Sequence, residues 1–230
     1  MKIDSLEPSV YLNPLKLAFN KAANKQNAIG MKAYMLNQFE FYGIKTPQRD
    51  AIVKSFLKIH RVQHYNELEK IVQYMWSQNE REWQYAAIDV LASHINLWKA
   101  STIQFIQYCL THKSWWDIVD GIGSDWLPKY FSLFPEKQIP ITQKWNQSNN
   151  IWLQRSSILF QRSYKKNTNT QLLSEYILRH QSSKAFFIQK AIGWALREYS
   201  KTNPAWVKSF VESQDLAPLS KREALKKITG

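Results

Sequence analysis

The sequence predicts an all-α fold, a curved α-α superhelix (solenoid) of two-helix repeats, and three observations lead there. Glycine is scarce, 6 in 230 residues, where an all-β chain needs many turn glycines. Apolar residues recur at helical rather than strand spacing from end to end. Helix starts return with a period near 35 residues, the length of one helix pair in an α-solenoid.

Taken in order, residues 8–25 read as an amphipathic helix and 27–41 as a second, with Gly43 suited to its C-terminal cap. Thr46-Pro47 is a start signal, a capping hydroxyl followed by proline at the first helical position. The helix behind it carries Ile52, Val53, Phe56, Leu57 and Ile59, and residues 65–76 form the next. From there helices begin near residues 79, 114, 149, 183 and 219, at spacings of 35, 35, 34 and 36. Each of the first four is followed by a second helix: 101–111, 139–146, 170–180 and 204–213. Weak local similarity accompanies the period. WQYAA (83–87), WLQRSS (152–157) and FIQKA (187–191) each place a glutamine and then small residues after an aromatic. No Gly/Ser linker or low-complexity tract interrupts the chain, so a single domain, residues 1–230, is expected.

Composition narrows the function. Net charge is +13, from 31 basic and 18 acidic residues, and the pI is about 9.7. Such a positive field suits a polyanion, nucleic acid first and an anionic membrane surface second; a merely soluble basic protein is the plain alternative. Cys109 is the only cysteine, which excludes a disulfide within the chain and speaks against a thiolate metal site. His60 and His64 are four apart but have no acidic third ligand beside them, and there is no HExxH, so no metal is expected. The N-terminus has no apolar run, and no stretch approaches 18 consecutive apolar residues; the cytosol is the expected compartment, with no membrane partner. GxGxxG, GxxxxGK[ST] and GxSxG are all missing, which leaves no nucleotide cofactor or serine nucleophile to build on.

The chemistry gathers around KSWWDIVD (113–120). On a helix, Trp116 and Asp120 stand one turn apart on one face. An aromatic face beside a carboxylate can cradle a cation; a core tryptophan with a salt-bridged acid, Arg155 being the partner, is the competing reading. Asp120, Arg155 and Lys190 are each 35 apart and so fall at equivalent repeat positions, a charged row on a concave basic face. Trp194 lies one turn beyond Lys190 and follows Gly193, a mid-helix glycine that permits close approach of a helix or of DNA. Arg155, Arg162, Lys165 and Lys166 lie along one helix and its end, either a solvated face or a phosphate-binding one.

KSWWDIVD (113–120), NIWLQR (150–155), FFIQKAIGWALREY (186–199), YGIKTP (42–47) and LAPLSKREA (216–224) together resemble the AlkD family of DNA alkylation repair glycosylases, in the same order and across nearly the whole chain. The resemblance implies HEAT-like repeats forming a basic groove that holds double-stranded DNA. It also implies excision of positively charged N3- and N7-alkylated purines, such as 3-methyladenine and 7-methylguanine, without a deep base-flipping pocket. It places the catalytic aspartate at Asp120, the two sugar-facing tryptophans at Trp116 and Trp194, the groove arginine at Arg155 and the N-terminal tyrosine at Tyr34. Lys190, Thr46, Arg49, Arg162 and Arg197 are the further DNA contacts expected. Asp50, just after Arg49, stands where the better-known members carry a second arginine, so one phosphate contact near Thr46 is missing. No cofactor is implied, and a monomer is the simplest state. Some relatives only bind DNA; a non-catalytic, structure-specific DNA-binding protein on the same scaffold is therefore the second reading. A protein-interaction solenoid is the third, and the basic charge speaks against it.

Overall fold

The computed structural model describes residues 7–228. Its helices are α1 (Pro8–Tyr11), α2 (Asn13–Ala22), α3 (Lys25–Tyr34), α4 (Thr46–Ile59), α5 (Tyr65–Ser77), α6 (Arg81–Ser93), α7 (Thr102–Thr111) and α8 (Trp116–Ser124). They continue with α9 (Trp126–Leu133), α10 (Gln138–Asn146), α11 (Ile151–Leu159), α12 (Thr170–Leu178), α13 (Phe186–Ser200), α14 (Pro204–Ser213) and α15 (Pro218–Leu225). Among the described residues there is no strand, only one isolated bridge between Glu40 and Glu80. No described helix is long and apolar enough to cross a membrane. The fold is all-α and built of helical repeats, as the sequence predicts.

The period survives in sharper form. α6, α8, α11 and α13 begin at residues 81, 116, 151 and 186, each 35 after the last. The shared glutamine has a structural reason. The Gln84 side-chain amide donates to the carbonyls of Met75, Trp76 and Gln78 at 2.9–3.2 Å. Those of Gln154 and Gln189 donate to Ser148 and Ser183 at 2.6 and 2.9 Å. In each repeat the glutamine donates to carbonyls in or next to the turn that enters its own helix, where helix ends leave acceptors short of partners.

Four local expectations change. The first predicted helix breaks at Leu12, where Pro14 starts a fresh helix as its second residue. Thr46 does not cap α4; it is the first helical residue, and Lys45 holds the cap position without a side-chain bond. Gly43 is no helix cap either. It lies beyond α3 with φ 86°, and a Cβ there would meet the Asn24 carbonyl oxygen at 2.1 Å and the Ala28 nitrogen at 2.6 Å. It is glycine because the chain passes tightly over the start of α3. Finally, α9 adds a helix between α8 and α10 that the two-helix pattern does not contain.

The chain divides into two compact units between Phe105 and Ile106. In the first, α4 and α5 pack on α6 over Phe19, Val53, Leu68, Ile71, Met75, Trp83 and Ala86, all buried. The Glu82 carboxylate, fully buried, accepts from the backbone N–H groups of Tyr42, Gly43 and Ile44 at 2.9–3.1 Å and fixes the segment before α4. In the second unit α11 lies against α8, α10 and α13, and α13 packs most extensively on α15. Its core joins Ile158, Leu159, Ile177, Ile188, Ile192, Leu196, Val207 and Ala224.

Candidate active site

The site is built inside the second unit from the middle of three helices one repeat apart. Asp120 on α8 and Arg155 on α11 form a two-pronged ion pair. Arg155 Nε and Nη2 donate to the two Asp120 carboxylate oxygens, each at 2.8 Å. Arg155 Nη1 donates to the Phe187 carbonyl at the start of α13, at 2.6 Å. The arginine side chain is 1% exposed and the aspartate side chain 13%. Arg155 therefore ties three successive repeats together. Its fork matches the carboxylate and leaves each Asp120 oxygen lone-pair capacity for another donor.

Trp194 stands against the arginine of this pair. The Arg155 guanidinium lies 5.1 Å from its ring centroid, the Lys190 ammonium 5.6 Å and the Arg197 guanidinium 5.8 Å. The Trp194 indole N–H is buried and finds no acceptor among the described residues, so packing and these cations set the ring. Trp116 begins α8, one turn before Asp120. Trp115, just outside that helix, belongs to a different cluster. It meets Trp152 and Phe187 with ring centroids 5.8 and 5.2 Å apart, joining the starts of α8, α11 and α13. Its contacts are therefore with other repeats' rings rather than with Asp120.

The structure thus brings together Asp120, Arg155, Lys190, Trp194 and Arg197, with Trp116 on the same helix as Asp120. It also changes the standing of the cations. Arg155 is spent on Asp120 and Phe187 rather than offered to a phosphate. Lys190 and Arg197 both donate to Glu223 of α15, at 3.0 and 2.9 Å. Glu223 is the site residue that sequence reasoning missed, although LAPLSKREA contains it. Its distance from Lys190 in sequence is 33 rather than 35, so the repeat does not point to it. Arg162 lies two turns beyond Arg155 and lines a cavity of about 280 Å³ with Gln161, Lys165, Glu198 and Lys201.

Three expected DNA contacts sit in the first unit. Tyr34, 70% exposed at the end of α3, edges a cavity of about 380 Å³ with Met31, Phe41, Lys45 and Tyr85. Thr46 is exposed at the start of α4. Arg49 stacks 4.6 Å from the Tyr85 ring centroid and pairs with Asp50 at 2.8 Å, so the acid singled out in the sequence occupies this arginine. Tyr85 holds the repeat position of Asp120, 35 residues earlier. Among the described residues no group of three histidine, cysteine or acidic side chains is placed to hold a metal.

Residues 15–228 match the family described as DNA alkylation repair enzyme. The chain belongs to that family. A solved structure of a predicted DNA alkylation repair enzyme from Enterococcus faecalis is 34% identical, with a TM-score of 0.82 over 90% of this chain and 97% of that one. Two Streptococcus mutans structures share the fold at lower identity. AlkD2 is 16% identical with a TM-score of 0.64, covering 87% of this chain and all of that one. The smu.31 structure is 14% identical with a TM-score of 0.61, covering 90% and 98%. No protein of curated function matches the chain. Membership makes this a DNA alkylation repair protein.

Proposed function

We propose that the protein is a monofunctional DNA glycosylase, hydrolysing the N-glycosidic bond of positively charged N3- and N7-alkylated purines in duplex DNA as the first step of base excision repair. One observation carries this reading. A largely buried carboxylate, fixed by a two-pronged arginine, stands with an indole 5.1 Å from that guanidinium and a second indole one turn away on its own helix. An alkylated purine already bears positive charge, so it leaves with the bonding electrons without a general acid. This differs from glycoside hydrolysis with two carboxylates. What needs stabilising is the oxocarbenium-like sugar. Asp120 opposes that charge and orients the water that attacks C1′, whose proton passes to Asp120 and on to solvent. Trp116 and Trp194 offer aromatic faces to the same cation, each contributing about 0.5–2 kcal/mol. The products are the free alkylpurine, 3-methyladenine or 7-methylguanine, and an abasic site.

In this reading the whole chain, 1–230, acts as one domain, a cytosolic monomer that needs no cofactor. Tyr34, Thr46 and Arg162 hold the DNA backbone, while Lys190 and Arg197, both paired with Glu223, set the charge beside the sugar. Selectivity comes from the lesion's own lability and the deformability of the damaged duplex rather than from a base pocket. The second reading, a DNA binder without catalysis, draws on the same ion pair, because an aspartate paired with arginine offers less charge to a sugar. Incubating the protein with methylated duplex and quantifying the liberated bases decides between them. Released 7-methylguanine or 3-methyladenine supports the glycosylase. Tight duplex binding with no base above the spontaneous rate supports the binder.

A further inference from the structure

Glu223 is the acid at the site to which the reading above gives no task. It is 7% exposed on α15, yet its two oxygens face Lys190 and Arg197, both beside the Trp194 ring. Its approach is built into the backbone. A Cβ on Gly193 would lie 2.4 Å from the Glu223 Cβ and 3.0 Å from the Ser220 carbonyl oxygen, so only glycine lets α15 come this close to α13. Ser220 Oγ donates to the Gln189 carbonyl at 3.0 Å and fixes the register of the two helices. The hydrogen bond from Lys190 is the main cause that holds the Glu223 carboxyl below its ordinary value, against a smaller rise from burial.

The charges around Trp194 need this acid. Arg155, Lys190 and Arg197 place three cations within 6 Å of the ring centroid. Asp120 pairs with Arg155, and Glu223 takes the other two. A site that must stabilise a cationic sugar works poorly beside uncompensated positive charge. We propose that Glu223 is a positioning residue of the site, clamping Lys190 and Arg197 at Trp194 and cancelling part of their charge where the sugar cation forms. The proposal rests on the reading of Trp194 as a sugar-facing wall. It predicts opposite effects on binding and on turnover, which a residue that only stabilised the fold would not produce.

Glu223→Gln keeps the volume against Gly193 and removes the charge. On undamaged duplex the variant should bind more tightly, and its plot of log affinity against log salt should steepen by about one to two, about 0.9 for each freed cation that reaches a phosphate. Single-turnover release of 7-methylguanine should slow about ten-fold, as expected for one unit charge at roughly 10 Å in an effective dielectric of about 20. Lys190 should acetylate several-fold faster relative to the other lysines, read by mass spectrometry on protein whose circular dichroism matches the parent. Glu223→Asp should restore part of the turnover. Unchanged Lys190 acetylation, or binding and release that fall together, would overturn the clamp. If the parent releases no base, the proposed reaction fails, and the acetylation of Lys190 still tests the clamp.

Discussion

Glu82 in the first unit and Glu223 in the second are both buried carboxylates, 0% and 7% exposed, and they are satisfied in opposite ways. Glu82 accepts only backbone N–H groups, from Tyr42, Gly43 and Ile44. Burial pushes its carboxyl up, the largest effect, against the lowering by those N–H donors. Glu223 accepts from two long cationic side chains, and its carboxyl is held down. Backbone donors cannot leave, so Glu82 fixes a loop. Lysine and arginine heads can move, so in the clamp proposed above Glu223 adjusts a field. Asp120 lies between the two cases, gripped by a buried arginine yet itself still partly open.

The contrast breaks most readily at Glu82. Glu82→Ala strands three backbone donors and should cost about 3–5 kcal/mol of unfolding free energy, read by chemical denaturation. A loss below about 1 kcal/mol would show that the segment before α4 does not depend on it. Arg155→Ala comes next, at about 2–4 kcal/mol, because it leaves Asp120 largely buried and unpaired. Its duplex binding should keep the parent's salt slope, since Arg155 is spent within the protein. A slope shallower by about 0.9 would restore the phosphate contact that the sequence alone suggests. Trp194→Leu should slow base release about 3- to 30-fold with little change in duplex affinity, in line with the loss of one cation–π face; an unchanged single-turnover rate would remove Trp194 from the site. The smallest effect is the pH dependence of Glu223. Its carboxyl is lowered on folding, so its contribution is complete above the ordinary value of 4.5 and fades as pH falls through the lower folded value. The stability gap between the parent and Glu223→Gln should therefore narrow on going from pH 6 to pH 3. Glu82, raised on folding, has the opposite sign: its contribution is present below 4.5 and is lost as pH rises through the folded value.

Much of this was legible in the sequence, for reasons tied to particular residues. The 35-residue spacing of Asp120, Arg155 and Lys190 survives because each sits at the same level of α8, α11 and α13. The WQYAA, WLQRSS and FIQKA similarity carries the turn-capping glutamine. α9 was not legible, since Pro128 near its start reads as a break, although at the third helical position proline costs no hydrogen bond. Gly43 misled because a positive φ serves a tight crossing as readily as a helix end. Glu223 was hidden by register. α15 begins 32 residues after α13 rather than 35, so the acid that meets Lys190 falls off the period. The engagement of Arg155 appears in sequence only as one of two alternatives. Charge counts say how many cations a chain has, and only packing says which are already taken.

The proposed reaction turns on the Asp120 carboxylate. Asp120→Asn keeps the shape and some hydrogen bonding to Arg155 while removing the negative charge. Single-turnover release of 7-methylguanine from methylated duplex should fall at least about 100-fold, as for loss of a major electrostatic stabiliser, while duplex affinity stays within about three-fold of the parent. Release at the parental rate by a folded, DNA-binding Asp120→Asn would remove Asp120 from the chemistry.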